Sequence, residues 1–502
     1  MICSERMAED GEIDRWRRYV PGNGSDDDLQ ALRALFAGYT EAEIRRRLNI
    51  PDLEADSMPP LDALIRLFHE GLYATEDELP ADVLALLDRL GLIARDRECP
   101  GLVYSTATIL RVAGELNVCD RGGAPDGSTY PLQPDVVYPP IFDNTCRYLA
   151  GLPSTPCEAM LEIGTGAGMG AILGARHARR VWATDINARA VLFARLSCRL
   201  AGLDNVTVLE GDLYSPVEGL TFDRIAIHPP WAPATQSEFI FGDGGEDGET
   251  IIRGSIERLP QFLLPGGRFY AMLLASDRQG EKFEERVRSW LGPGREQFDI
   301  AVAEFSRDST HGFLAQNLAK GSISEGAIRF WLDLWKATAT EAMVYGMMIV
   351  QRHQGEREPV TVRAQTGIDY SARHLEDLLD WEMLVRSPGA AEKLLASRPL
   401  VSPHSALKTT SRVHNGSFTT EAMALECSGP FRSVFACEWW LARVVGQCDG
   451  AKTWREHFES ARTGSMIPET VTAEEFAGLL ASLVRAGLVN FQTPGGAPGF
   501  QH

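Results

Sequence analysis

The sequence predicts an α/β protein with a mostly parallel central sheet and a smaller accessory domain at each end. The first observation is an apolar run over 159–163 that enters a turn with glycine at every second position, Gly164, Gly166 and Gly168. The second is a further apolar run that ends in Thr184-Asp185, followed by more strand-like runs. The third is that both chain ends carry leucine-rich helical patterns that lead into short strands.

The glycine turn and Asp185 predict half of a nucleotide-binding site. Glycine lets backbone approach a ligand closely, and an acid at the end of the next strand can accept hydrogen bonds from ribose hydroxyls. Glu162 lies just before the turn, where a carboxylate would repel the pyrophosphate of a dinucleotide but would suit an ammonium group. The pattern therefore favours S-adenosylmethionine, which has a ribose, a sulfonium and an amino acid tail, and lacks phosphate.

Three later segments follow in a fixed order. A strand over 206–209 leads into Glu210-Gly211-Asp212-Leu213, and a strand over 222–227 ends in His228-Pro229-Pro230-Trp231. The turn 264–269 then enters a fifth strand that runs to Leu274. With these motifs the chain resembles the class I S-adenosylmethionine-dependent methyltransferases, above all the HemK-like N-methylating branch with an Asn/Asp-Pro-Pro-aromatic motif. The resemblance covers about 130–352 and implies a Rossmann-like core with a seven-stranded, mostly parallel sheet.

The resemblance also implies roles for the residues that match its motifs. Glu162 and the glycines would hold the methionine part of the cofactor, Asp185 the ribose, and Asp212 with Leu213 the adenine. Tyr138 belongs to a segment, 135–140, that falls where the family closes over the cofactor; a proline-stiffened connector is the alternative. The implied cofactor-binding residues are Tyr138, Glu162, Gly164, Gly166, Gly168, Asp185, Ile186, Asp212, Leu213 and His228.

His228 departs from that branch, which places Asn or Asp there to accept a hydrogen bond from a planar NH2 group. A neutral histidine offers one acceptor nitrogen and one donor, whereas a protonated histidine offers no acceptor. The glutamine-amide and adenine-amine substrates of the branch are therefore put in question. Two functions stay open for His228, an acceptor for a different nitrogen or a general base near neutral pH. A packed histidine at a strand end is the structural alternative.

A tryptophan and several acids follow His228 and suggest a cationic acceptor. Trp231 can lie against a flat or cationic group, and carboxylates pair with a guanidinium in a fork. The acids after the turn are Glu238, Asp243, Glu246, Asp247 and Glu249. Some of them are expected to be charges at the start of a helix over 249–259, and one or two to bind a cationic substrate. The candidate catalytic residues are His228, Pro229, Trp231, Glu238, Asp243 and Glu246.

These features favour an S-adenosylmethionine-dependent N-methyltransferase that acts on a small cationic acceptor, an amine or a guanidine such as free arginine, in a specialised biosynthetic pathway. Methylation of a peptide or protein side chain is the main alternative, and methylation of an RNA base is less favoured. A non-catalytic, cofactor-binding regulator is the alternative from another class. The intact glycines, both acids and the Pro-Pro-Trp turn argue against that regulator.

Composition limits the partners. The net charge is −20, whereas a nucleic-acid-binding protein normally presents a basic face, and the short basic runs 45–47 and 176–180 lack interleaved aromatics. The nine cysteines form no C-x-x-C pair, so we expect reduced thiols, no metal and a cytoplasmic location. Residues 1–18 lack the apolar core of a signal peptide, and no apolar run could span a bilayer. A homodimer is left open.

The patterns divide the chain into four regions. Residues 1–111 predict a helical, winged-helix-like domain, with a capping box at Thr40 and Glu43. Residues 112–145 predict a β-rich connector that closes over the cofactor, and 146–352 the core, which ends with strands at 298–303 and 343–350 around a helix over 327–339.

Residues 353–502 predict an α+β accessory domain. Its end, 479–491, repeats the helix-to-strand pattern of 86–96 and suggests a second winged-helix-like unit. Such a unit could bind a leader peptide, form a lid or make a dimer contact. A strand at 424–426 and helices at 438–446 and 476–486 are expected there, before a frayed tail at 494–502.

Overall fold

A computed structural model describes residues 16–37, 60–128, 130, 132–233, 238–321, 323, 325–367 and 370–492. The chain divides into two compact units, one formed by 1–292 with 308–343 and the other by 293–307 with 344–502. The predicted capping box at Thr40 and Glu43, the basic run 45–47 and the tail at 494–502 lie outside the described residues, as do the first fifteen residues. The division into four regions stays a prediction.

The N-terminal part of the first unit combines three helices with a small sheet. Helices α1 (Asp26–Leu35), α2 (Pro60–Phe68) and α3 (Ala81–Leu90) agree with the helical character predicted for this region. Gly91 ends α3 in the left-handed region, with φ 73°, where glycine carries no steric cost. The three short strands are antiparallel, with β3 in the centre, and are β1 (Ala74–Thr75), β2 (Ile93–Arg95) and β3 (Leu102–Ser105).

The expected β-rich connector is mostly not β-structure. Strands β4 (Thr108–Val112) and β5 (Glu115–Cys119) form an antiparallel hairpin across its predicted start at residue 112. Between Cys119 and Cys157 the described residues contain no further strand, and helix α4 (Asp143–Ala150) begins within the connector. Prolines explain the difference, since residues 131–140 contain four of them and proline cannot donate to a sheet.

Five parallel strands form the part of the central sheet that carries the glycine turn. They lie in the order β8-β7-β6-β9-β10. The chain runs outward from β6 in one direction and returns to β9 on its other side. In parallel sheets such a reversal opens a crevice at the carboxyl ends of the two central strands. The strands are β6 (Cys157–Ile163), β7 (Ala178–Asp185), β8 (Val206–Glu210), β9 (Phe222–Ile227) and β10 (Leu263–Arg278).

Helices connect β6 to β7, β7 to β8 and β9 to β10, and a further helix follows β10. The predicted helix over 249–259 is confirmed as α7 (Thr250–Phe262). Two of the seven residues of α5 (Met169–Ala175) are glycines, which let this helix pack closely against the sheet. The other connecting helices are α5 (Met169–Ala175), α6 (Ala188–Leu200) and α8 (Phe283–Trp290).

The sheet has eight strands, one more than predicted. The order continues from β10 through β12 and β11 to β13, and β13 pairs in parallel with β11. The added strand comes from 361–365, beyond the predicted end of the core at residue 352. The new strands are β11 (Phe298–Ser309), β12 (Thr340–Arg352) and β13 (Thr361–Gln365), and two helices, α9 (Thr310–Ala319) and α10 (Ile328–Ala337), lie between the first two.

The rest of the second unit is α+β. The predicted helices over 438–446 and 476–486 are present as α13 (Trp439–Gly446) and α15 (Ala473–Arg485), and the predicted strand 424–426 lies within β16 (Ser417–Cys427). Trp454 and Phe476 stack at the centre, 4.5 Å between ring centroids. The elements are α11 (Ala372–Arg386), α12 (Ala390–Ala396), β14 (Arg398–Val401), β15 (Ser405–His414), β16 (Ser417–Cys427), β17 (Ser433–Ala436), α13 (Trp439–Gly446), α14 (Trp454–Thr463), α15 (Ala473–Arg485) and β18 (Val489–Gln492).

Candidate functional site

The glycine turn lies at the carboxyl end of β6 and leaves room for a ligand. Gly164, Gly166 and Gly168 have φ values of 66°, 55° and 89°, which other residues adopt only with strain. A Cβ atom built on Gly164 or Gly166 would meet nothing within 4 Å, whereas one on Gly168 would lie 3.0 Å from Ala194. The first two glycines thus expose backbone to open space, and the third lets α6 pack against the turn.

Glu162 lies beneath this turn and holds it. Its carboxylate is 2% exposed and accepts hydrogen bonds from the hydroxyls of Tyr148 (3.0 Å) and Thr165 (2.5 Å) and from the amide of Ala171 (2.7 Å). A Cβ on Gly170 would lie 1.8 Å from a Glu162 oxygen, so only glycine fits there. Burial raises the pKa of Glu162 to about 7.

Asp185 lies opposite, at the carboxyl end of β7. One carboxylate oxygen accepts the amide of Gly166 (2.8 Å) and the other accepts the amide of Asn187 (2.9 Å). Burial raises the pKa of this half-buried group. A carboxylate has about four lone-pair sites, so Asp185 can accept further hydrogen bonds from a ligand. Ile186 follows with 61% of its surface exposed, on the rim of the crevice.

The turn after β8 lies beside that of β7. The amide of Gly211 donates to the carbonyl of Asp185 (2.9 Å), and the Thr184 hydroxyl donates to the carbonyl of Leu213 (3.0 Å). Leu213 has a φ of 46°, and Asp212 is exposed. The structure thus brings Asp185, Asp212 and Leu213 together at the carboxyl ends of two neighbouring strands.

His228 follows β9, the neighbour of β6 on the other side of the crevice. Its ring lies 5.3 Å from that of Tyr148, whose hydroxyl is bound to Glu162. Burial lowers the pKa of His228 to about 4, so its imidazole is neutral at physiological pH. A general base should have a pKa near the working pH. A pKa lowered by burial therefore fits a hydrogen-bond acceptor better than a base near neutral pH.

The Pro-Pro-Trp turn is held by the loop that follows it. The Ala232 amide donates to the carbonyl of Gly242 (3.1 Å), and the Gly244 amide donates to the carbonyl of Ala232 (2.7 Å). Pro229 is buried and Trp231 is half-buried. A Cβ on Gly248 would lie 2.4 Å from the Trp231 carbonyl oxygen, so the loop packs directly on the backbone of the turn.

Two acids of this loop bind arginines of the chain itself. Glu249 is 3% exposed and pairs with Arg286 (2.7 Å) and Arg278 (3.0 Å), and Asp247 pairs with Arg253 (2.9 Å). Asp247 and Glu249 therefore already have cationic partners within the chain. Glu238, Asp243 and Glu246 are exposed, and Asp243 accepts the Gly245 amide (2.9 Å).

The segment that contains Tyr138 is fastened near the crevice. The amide of Val137 donates to Asp120 (3.0 Å), and Asp120 also accepts a hydrogen bond from Arg189 (2.7 Å). The Asn187 side chain donates to the carbonyl of Asp135 (2.8 Å). These hydrogen bonds agree with both interpretations of the segment, as a cover for the ligand and as a stiff connector.

Several residues of the site belong to none of the motifs found in the sequence. Tyr148 joins Glu162 to His228, Asp120 fixes the Tyr138 segment, and buried Asn117 on β5 donates to the carbonyl of Ala167 in the glycine turn (2.7 Å). Each acts across 14 or more positions in sequence. Because these contacts join residues far apart in sequence, no local pattern could have predicted them.

Gly248→Ala is expected to destabilise the first unit by about 2–4 kcal/mol. An alanine would adopt a strained φ of 79° and would also collide with the Trp231 carbonyl. Gly219→Ala is the matched control, because its φ is 81° and nothing lies within 4 Å of an added Cβ; it should cost about 1 kcal/mol. Denaturant unfolding of both variants measures the difference, and equal losses would mean that the loop does not press on Trp231.

Neither a metal site nor a membrane span is found in the described parts of the chain. Among those residues no group of three His, Cys, Asp or Glu side chains is placed to hold a metal ion. None of the helices described above is long and apolar enough to cross a bilayer.

Comparison with known proteins identifies a family model and several relatives. The model described as "Methyltransferase small domain" matches residues 141–272. A candidate protein N5-glutamine methyltransferase of Methanocaldococcus jannaschii is 33% identical over 165 residues, which are 31% of this chain and 80% of that protein.

Two further relatives are matched over about half of their length. The release factor glutamine methyltransferase of Moorella thermoacetica is 34% identical over 149 residues, 27% of this chain and 52% of the relative. The ribosomal protein uL3 glutamine methyltransferase of Bradyrhizobium diazoefficiens is 32% identical over 152 residues, 27% of this chain and 47% of the relative.

Proposed function

Because the chain belongs to the methyltransferase small-domain family and is an S-adenosylmethionine-dependent methyltransferase, we propose that it methylates a nitrogen of a polypeptide side chain. The relatives named above are N-methyltransferases of protein glutamine. The alternative of a peptide or protein acceptor is thus better supported than the free guanidine expected first. The pairing of Asp247 and Glu249 with internal arginines also weakens the case for a free guanidine.

The residues at the crevice fit S-adenosylmethionine. The open space above Gly164 and Gly166 is a cradle that any Cβ would fill, and it would hold the methionine part of the cofactor. Asp185 has lone pairs left for the ribose, and exposed Asp212 with Leu213 flanks the position for adenine. Once bound, the cofactor supplies a methyl group already activated by its sulfonium. Glu162 supports the turn from below, and Ile186 and Tyr138 line its rim in this proposal.

One observation supports a carboxamide as the proposed acceptor: His228 is neutral and lies beside the glycine turn. Ile227, which precedes it, pairs with Ile163, which precedes Gly164, so the two turns are adjacent. A neutral imidazole accepts one N–H, and the carbonyl of Pro229 can accept a second. Two acceptors suit the planar, uncharged NH2 group of a carboxamide such as glutamine, which the branch reads with Asn or Asp. His228 and Pro229 then orient the nitrogen, and half-buried Trp231 covers its flat face.

Affinity for the cofactor is expected to rise with pH up to about 7 and then to level off. The pKa of Glu162 is about 7 in the free protein, and a cationic ligand nearby stabilises the carboxylate and lowers that pKa. Binding below pH 7 must therefore release a proton, which costs up to about tenfold in affinity at pH 6. Calorimetry in buffers of different ionisation enthalpy measures this proton release.

Glu162→Gln is the matched variant for that measurement. It keeps a side chain of the same size but has no proton to release, so its affinity should vary with pH only as the ligand's own groups do. S-adenosylhomocysteine, which lacks the sulfonium charge, is the second control and should release fewer protons. If the wild type and the variant have the same pH profile, Glu162 does not sense the charge of the cofactor.

Methyl transfer from labelled cofactor to defined acceptors tests the proposed function. Peptides with a central glutamine, asparagine, lysine or arginine are compared with the free amino acids and with tRNA. Label should enter the glutamine peptides most and the free amino acids least. Label in free arginine alone would contradict the proposal and favour a small cationic acceptor. Label in tRNA alone would favour methylation of an RNA base.

A further inference from the structure

Four aromatic rings form one continuous row beside the turn His228–Trp231, which we call the acceptor turn. Tyr138 is central, with its ring centroid 4.9 Å from that of Phe142 and 4.8 Å from that of Phe241. Phe239 stacks on Phe241 at 5.5 Å. We call these four residues the aromatic row. It joins the segment before α4 to the loop after β9.

The aromatic row and the isoleucines that flank it present apolar surface to solvent. Contiguous exposed apolar surface on a soluble protein marks an interaction site more often than single exposed residues do. The exposed fractions are 51% for Ile141, 44% for Phe241, 41% for Ile240 and 37% for Phe142. The surface is preformed, because the amide of Ile240 donates to the carbonyl of Pro134 (2.9 Å) and so ties its two segments together.

The row lies next to the residues proposed to hold the acceptor nitrogen. Gly242, which follows Phe241, accepts the amide of Ala232, which follows Trp231 (3.1 Å). An extended peptide advances about 3.3 Å per residue. A side chain within a few positions of the methylated residue can therefore reach the aromatic row while the acceptor lies at His228.

The charges beside the row select among classes of ligand. Glu238, Asp243 and Glu246 are exposed on the same loop, and the chain has a net charge of −20. Such a surface repels phosphates, so bases of a nucleic acid are disfavoured as partners of the rings. A free amino acid is too small to cover both the acceptor turn and the row. A polypeptide without acids close to the acceptor fits both the apolar surface and the charge.

We propose that the polypeptide substrate docks an aromatic or aliphatic side chain, located near its methylated residue, on the aromatic row. The inference rests on the proposed function and adds a sequence preference to it. Docking acts on substrate binding, so it should change KM rather than kcat. Burial of one large apolar side chain corresponds to a factor of about ten or more in affinity.

Pairs of synthetic peptides test the docking site. Both peptides carry the same acceptor residue, but one has phenylalanine or leucine nearby and the other has serine there. The full-length wild-type chain should show a KM about tenfold lower for the apolar peptide. Phe241→Ser should bring the ratio of the two KM values close to one, with unchanged affinity for S-adenosylmethionine. Leu220→Ser, at an exposed leucine (37%) outside the row, should keep the wild-type ratio.

The outcomes separate the docking site from the proposed function. Peptides that are methylated with equal KM values by the wild type, or a ratio that Phe241→Ser leaves unchanged, would overturn the docking site alone. No transfer to any peptide, combined with transfer to free amino acids, would overturn the proposed function and the docking site with it. If Phe241→Ser fails to fold, Ile141→Ser gives the same comparison at the other end of the apolar surface.

Discussion

Asp185→Ala should lower the affinity for S-adenosylmethionine by about a hundredfold. Asp185 is proposed to accept hydrogen bonds from the ribose, and bonds to a charged group contribute about 1.5–3 kcal/mol each. The same carboxylate holds the amide of Gly166 at 2.8 Å, so its loss also loosens the glycine turn. Both effects weaken binding, whereas neither removes a group that faces the acceptor.

Calorimetric titration with S-adenosylmethionine measures this effect. Asp204→Ala is the control, since Asp204 is an exposed aspartate on the loop before β8, away from the turn. The control should bind like the wild type. An Asp185→Ala variant that folds and binds with wild-type affinity would show that the ribose lies elsewhere.

His228→Ala should lower turnover by about a hundredfold with nearly unchanged affinity for the cofactor. The variant loses one preorganised hydrogen-bond partner of the reacting nitrogen, and removal of one such partner typically has that effect. His228→Asn should retain most of the turnover on a carboxamide, because its side-chain oxygen restores an acceptor. Single-turnover kinetics with a peptide acceptor separate the chemical step from binding.

The pH profile distinguishes the two roles of His228. With a pKa of about 4, the imidazole stays an acceptor throughout the neutral range. The kcat profile of the wild type should therefore show no acid limb from His228 between about pH 5 and pH 8. An acid limb near pH 6.5 that disappears in His228→Asn would instead identify a general base. Equal turnover in His228→Ala would remove the residue from the mechanism.

The core of the fold could be predicted because its signals are local. Strand β9 has the predicted bounds, 222–227, since Asp-Arg alone interrupts its apolar run and prolines end it. The hairpin of β15 and β16 was missed except for 424–426, because its residues 406–422 are exposed on both faces and mostly polar. Strand β13 was missed because it follows a polar segment that resembles a domain boundary.

The positions of the residues proposed to bind the cofactor were predictable for the same reason. Gly164, Gly166, Asp185 and Asp212 lie in short motifs whose backbone geometry depends on neighbours in sequence. The environment of the acceptor half is not local. The state of His228 depends on its burial beside Tyr148, and the charge of Glu249 is compensated by Arg286, 37 positions later. Sequence spacing alone could not reveal that these acids already have partners.

The most direct test of the central claim is the location of the transferred methyl group. A cell extract is separated into a protein fraction, a nucleic-acid fraction and an ultrafiltrate of small molecules, and each is incubated with the chain and methyl-labelled S-adenosylmethionine. Label should enter the protein fraction, depend on His228, and be recovered after hydrolysis or by tandem mass spectrometry on a side-chain nitrogen. Label confined to the ultrafiltrate, with none on polypeptide, would contradict the proposed function.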